Sequence, residues 1–110
     1  MTLSKPDKKV ARQCIDKGVQ AEFKAALEKA KKIVNQWDNA APDHRETYHK
    51  LFKAVNEQDE RIARRYDGLT GSRYLQTVAA ILADGQITEE DIAGFSEEAK
   101  VVLLRWASIG

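Results

Sequence analysis

Apolar residues recur along most of this chain at three- and four-residue steps, the spacing that gathers them on one face of a helix. The first such set is Val10, Ala11, Cys14 and Ile15, preceded by Ser4-Lys5-Pro6-Asp7, in which Ser4 suits an N-cap and Pro6 a first turn. Gly18 is expected to end or bend this helix. A second stripe follows in Val19, Phe23, Ala26/Leu27, Ala30, Ile33/Val34 and Trp37, with lysines and glutamates on the opposite face. The segment Asn39-Ala40-Ala41-Pro42-Asp43 then has the chemistry of a short helix-to-helix connection, Pro42 stopping one helix and Asp43 capping the next.

The third stripe, Tyr48, Phe52, Val55, Asp59, Ile62, Tyr66 and Leu69, alternates steps of four and three, as in the a/d seam of a coiled coil. The two long helices are therefore expected to pack antiparallel through their stripes. Asp67-Gly68-Leu69-Thr70-Gly71 closes the third segment, and Ser72 is placed to cap a fourth that buries Leu75, Val78, Ala79 and Leu82 and breaks at Asp84-Gly85. Thr88 reads as the cap of a short helix interrupted at Gly94. Ser96-Glu97-Glu98 opens a last helix whose apolar side is Val101, Val102, Leu103, Leu104 and Trp106.

The pattern gives an all-α fold, a helical bundle of four to five helices built on a long antiparallel αα-hairpin. Residues 1–110 are read as a single helical domain, with the first few residues outside the folded part. With 43% hydrophobic and 32% charged residues the chain has the composition of an ordinary globular domain. Its longest apolar run, Val78 to Ala83, falls far short of the roughly 20 residues that span a bilayer, so no membrane is expected as a partner. The single cysteine, Cys14, excludes an intramolecular disulfide and suits a reducing, cytoplasmic setting.

The net charge of +1 hides an asymmetry, since residues 1–40 hold nine Lys/Arg against five Asp/Glu and residues 75–110 hold two against six. Opposed ends of this kind steer association more than they hold it.

Candidate chemistry is sparse. Glu46-x-x-His49, with His44 nearby, has the spacing of half a di-iron motif, but the chain has no third histidine to complete one. The stretch Asp84-Gly85-Gln86-Ile87 resembles the back half of a calcium loop, yet Ala80 and Leu82 stand where the first oxygen ligands belong. No cofactor, metal site or catalytic constellation is expected, and Cys14 is read as a small buried hydrophobe. A DNA-reading helix-turn-helix over residues 72–94 is disfavoured by Glu89, Glu90 and Asp91 at the start of its second helix.

Two surfaces remain. Arg61, Arg64, Arg65, Tyr66, Arg73 and Tyr74 crowd the glycine turn as a candidate interaction patch, while Glu57–Arg61 and Glu60–Arg64 are spaced for intrahelical pairing. Asp59, a carboxylate at a seam position, is a candidate determinant of register or partner choice. The function expected is a non-catalytic protein-interaction module that binds a protein partner or associates with itself as a homodimer. The alternative is a small nucleic-acid-associated accessory protein using the Arg61–Arg73 cluster.

Overall fold

The computed structural model describes residues 3–40 and 43–109; these form four α-helices and one 3-10 turn, and no strand occurs among them. The fold is all-α. Helix α1 spans Lys5–Ala40, α2 His44–Tyr66, α3 Tyr74–Ala83 and α4 Glu97–Ile109, with the 3-10 turn at Gly71–Arg73. The chain divides into two compact units, Glu22–Asp67 and the residues on either side of it.

The expected break at Gly18 does not occur, and α1 runs without interruption for 36 residues. One glycine costs a helix about 1 kcal/mol relative to alanine. Here Gly18 is buried, and strong helix formers such as Gln20, Ala21 and Glu22 follow it, so its intrinsic penalty is outweighed. The predicted start is found: the Ser4 hydroxyl accepts a 3.3 Å hydrogen bond from the Asp7 amide.

In the unit containing the first half of α1, helix α3 packs against α4. Its core is made by Val78, Ile81 and Leu103, each fully buried, together with Ala11, Cys14, Leu75 and Ala99. Leu3 is buried as well, whereas the expectation that the first residues lie outside the folded part rests, for Met1 and Thr2, outside the described residues. Of the apolar residues predicted for α4, Leu103 is fully buried, while Val101 and Leu104 face outward.

Between α3 and α4 the expected short helix at Thr88 is a run of turns. Its hydrogen bonds close three residues apart, from Asp91 N to Thr88 O, Ile92 N to Glu89 O and Ala93 N to Glu90 O. Asp91 Oδ2 reaches back as in a capping box, accepting from the Thr88 amide at 2.7 Å and from its hydroxyl at 3.1 Å, but no helix follows. Ile87, Ile92 and Phe95 are buried and pin this segment through side chains rather than through helix. Gly68 and Gly85, just beyond α2 and α3, take φ of +68° and +76°, the left-handed region that side chains rarely occupy.

Helix α4 begins as read, with Ser96 Oγ accepting from the Ala99 amide at 3.3 Å. Ser72 does not cap α3: it lies within the 3-10 turn, its hydroxyl 3.0 Å from that of Thr70. The deepest polar anchor of this unit is Asp7, only 4% exposed, whose carboxylate accepts from the Ser96 amide (2.8 Å) and the Ser96 hydroxyl (2.7 Å).

In the second unit Asp43 opens α2, its Oδ1 accepting from the amides of Arg45 at 2.9 Å and Glu46 at 3.3 Å. The predicted connection is shorter than read, since α1 continues through Ala40; Ala41 and Pro42, the predicted stop, lie outside the described residues. Contacts between α1 and α2 pair residues in opposite sequence order, Glu22 with Arg65 and Trp37 with His44.

Candidate interaction surfaces

The six residues of the predicted arginine patch are divided between the two units. Arg61, Arg64, Arg65 and Tyr66 belong to the last turns of α2, while Arg73 and Tyr74 lie in the other unit. Within α2, Arg61 and Arg65 are one turn apart and converge on Glu22. Arg65 Nη1 donates to Glu22 Oε1 at 3.1 Å, and Arg61 Nη2 lies 4.0 Å from the same oxygen. Arg64 points elsewhere, is highly exposed, and approaches Glu60 at 4.0 Å. In the other unit the Arg12 guanidinium sits over the Tyr74 ring, 5.8 Å from its centroid.

Glu22 is the residue that the sequence pattern passes over. Its side chain is only 5% exposed, and an ionised carboxylate there requires cationic neighbours. Glu22 lies one residue before Phe23, on the flank of the apolar stripe, and that position is the signal that could have singled it out. Arg65→Met is expected to lower stability by about 1–2 kcal/mol, because it leaves Glu22 with a weaker cationic environment. Arg64→Met should change it by less than about 0.5 kcal/mol, as exposed helix pairs do. Urea denaturation of the two variants side by side checks the contrast.

The seam of α2 follows the heptad pattern at Ile62 and departs from it toward the N-terminus. Ala54 and Ile62 are the buried residues of the helix, with Leu51 and Gln58 half-buried beside them, whereas Tyr48, Phe52, Val55 and Asp59 are exposed. The side of α2 turned toward α1 is thus offset from the heptad stripe, leaving one flank of that stripe open. Helix α1 shows the same displacement: Ile33 is buried, while Phe23, Leu27 and Val34 are exposed. Both stripes are broader than a contact between two helices covers, since each carries apolar residues across more than the narrow a/d line.

The open flanks meet in a groove lined by Phe23, Ala26, Leu27, Ala30, Val55, Gln58, Asp59 and Ile62. Helical phase carries Val34 onto the side of Phe23 and Leu27, and Tyr48 and Phe52 onto the side of Val55. The exposures of these large apolar residues range from 41% at Val34 to 71% at Leu27. Asp59, the predicted specificity residue, stands at the groove's margin as an exposed carboxylate rather than a buried seam member.

Two further sites bear on chemistry. The Trp37 indole N–H donates to His44 Nδ1 at 2.8 Å, and the two rings meet edge-on. No group of three or more His, Cys, Asp or Glu side chains among the described residues is arranged to hold a metal ion. Cys14 is buried, with its thiol 3.5 Å from the Asp91 carbonyl. Burial, reinforced by the Asp91 carboxylate and opposed by Lys17, pushes the thiol up to about 11. Native protein at pH 8 should therefore resist iodoacetamide, with modification by mass spectrometry appearing only after urea is added.

No helix among the described residues is long and apolar enough to cross a membrane. Comparison of the chain with protein-family models, with curated protein sequences and with solved structures finds no match in any of the three.

Proposed function

We propose that the protein is a non-catalytic interaction module whose working surface is the open apolar face of residues 22–67. In this reading α2 and the second half of α1 form an antiparallel hairpin, and the hairpin presents a two-helix platform for a helical protein partner. One observation carries it: Phe23, Leu27 and Val55 line one groove, Val34, Tyr48 and Phe52 follow them in helical phase, and all six are at least 41% exposed. Single exposed apolar residues are ordinary, but contiguous apolar patches of several hundred Å² on a water-soluble surface mark docking sites. Helical partners fit such a face because their own apolar residues recur at matching steps along the groove.

The nucleic-acid reading is the weaker one. Arg65 is directed at Glu22 at 3.1 Å, and Arg61 and Arg64 each lie 4.0 Å from a carboxylate, so part of the cluster's charge is answered within the chain. Phosphate binding draws on cations free to neutralise it.

Hydroxyl-radical footprinting of the full chain, dilute and purified against the same chain in an extract of its native cell, tests the proposal. Protection of Leu27, Tyr48 and Phe52 in the extract is expected, with Leu104 equally reactive in both. Equal reactivity of all four residues in both samples contradicts a docking role for the face.

A further inference from the structure

Resting on the reading of this face as a docking surface, we infer that its occupant is a second copy of the chain. The two platforms stack face to face, with each α1 antiparallel to its counterpart and each α2 likewise. The first argument is area. The open apolar side chains of residues 22–67 expose on the order of 700 Å² per copy, close to the roughly 800 Å² that each partner contributes to a standard protein interface. A helix pair with one broad apolar side is also half of a four-helix bundle, and two such pairs complete it.

The second argument is charge. Along the rim of the face, α1 carries Lys24, Lys31 and Asp38 and α2 carries Arg45, while Asp59 lies within the α2 stripe, in helical phase between Tyr48 and Phe52. All five are exposed, and none makes a side-chain ion pair among the described residues. In a two-fold dimer of this orientation, residues equidistant from the axis meet. The midpoint of Lys24 and Asp38 is Lys31, and the midpoint of Arg45 and Asp59 is Phe52.

These two midpoints fall at one level along the paired helices. Interpolating between the observed Glu22–Arg65 and Trp37–His44 contacts sets Lys31 level with Phe52. One axis at that level therefore pairs Lys24 with Asp38 and Arg45 with Asp59 at once. It also sets Leu27 against Val34, Tyr48 against Val55 and Phe52 against its own copy. Such self-complementarity is what an isologous interface requires. Lys31 meets its own copy near the axis, where a long exposed ammonium can turn into solvent. In this arrangement Asp59 sets the register, through the partner's Arg45.

Charge reversal tests the pairing on the full chain. Sedimentation equilibrium of the unaltered protein is expected to show a monomer–dimer equilibrium. Arg45→Asp alone and Asp59→Arg alone should each weaken it by about tenfold or more, since two like-charge contacts replace two attractive ones per dimer. The double variant R45D/D59R should return to within about threefold of the unaltered protein, because both pairs are restored with reversed sign. Both positions are exposed, and an aspartate in the first turn of α2 suits the helix dipole, so folding is expected to persist and is checked by circular dichroism. Dimerisation unaffected by either single reversal, or a double variant no tighter than the singles, overturns this register. A monomer at every concentration, with footprint protection persisting in the extract, overturns self-association and leaves the docking face intact.

Discussion

Truncating Leu103 to alanine is expected to lower the stability of the protein by about 3–4 kcal/mol, whereas Leu104→Ala, one residue along, should cost less than about 1 kcal/mol. Leu103 is fully buried between elements of its unit, so the shorter side chain loses transfer free energy and leaves a cavity in a close-packed core. Leu104 is 45% exposed, and truncation there removes surface that water already reaches. Urea denaturation followed by circular dichroism distinguishes the two. Similar losses at both positions would mean that α4 is packed on two sides.

Replacing Asp7 by alanine is expected to cost about 2–4 kcal/mol. Its carboxylate holds the Ser96 amide and hydroxyl, and the same hydroxyl accepts from the Ala99 amide at the start of α4. Two charge-assisted bonds are lost and a partly buried N–H is left without its acceptor. The negative charge in the first turn of α1 is lost as well. Asp7→Asn should recover part of the loss, since its amide oxygen still accepts one bond.

The same carboxylate gives the protein an acid limit. Burial pushes Asp7 upward, but the Ser96 amide, the Ser96 hydroxyl and Ser4 together outweigh it and hold the group below the usual value of 3.8. Asp91 is held low chiefly by the Lys17 ammonium at 2.7 Å, with Thr88 contributing. A carboxyl whose folded value lies below its unfolded one stabilises the fold above the unfolded value, about 3.9, and the benefit disappears as pH falls through the folded value. Urea midpoints should therefore be flat from pH 7 to about 5 and fall below pH 4, less steeply in Asp7→Ala than in the unaltered chain.

The all-α class was legible because 3.6-residue periodicity, caps at Ser4, Asp43 and Ser96, and the turn at Asp84-Gly85 all agree with it. Gly18 misled because a single helix-weakening residue is a local signal, and burial within a long helix overrides it. The turns at residues 88–93 misled for the opposite reason. Their acids suit a helix start and Asp91 does bond back to the Thr88 amide, yet Lys17 holds the same carboxylate through a contact remote in sequence.

At the candidate surface the sequence located the apolar residues but not which of them are buried. A heptad stripe reads the same whether it is spent on a neighbouring helix or left open. Burial of Ala54 and Ile62 beside exposed Phe52 and Val55 is what separates the two cases. The pairing within the arginine patch was out of reach for a related reason, since the buried partner of Arg61 and Arg65 is Glu22, some forty residues earlier in the chain. Asp59 lines the groove between the two helices and is exposed there, not buried in a seam.

The open face of residues 22–67 is either covered by a second copy of the chain or left free. Multi-angle light scattering of the full chain, eluted over a range of loading concentrations at moderate salt, measures this directly. A mass rising toward twice 12.4 kDa as concentration increases is expected, with Phe52→Glu holding at the single-chain mass. A mass of 12.4 kDa for the unaltered protein throughout, up to millimolar loading, would contradict self-association.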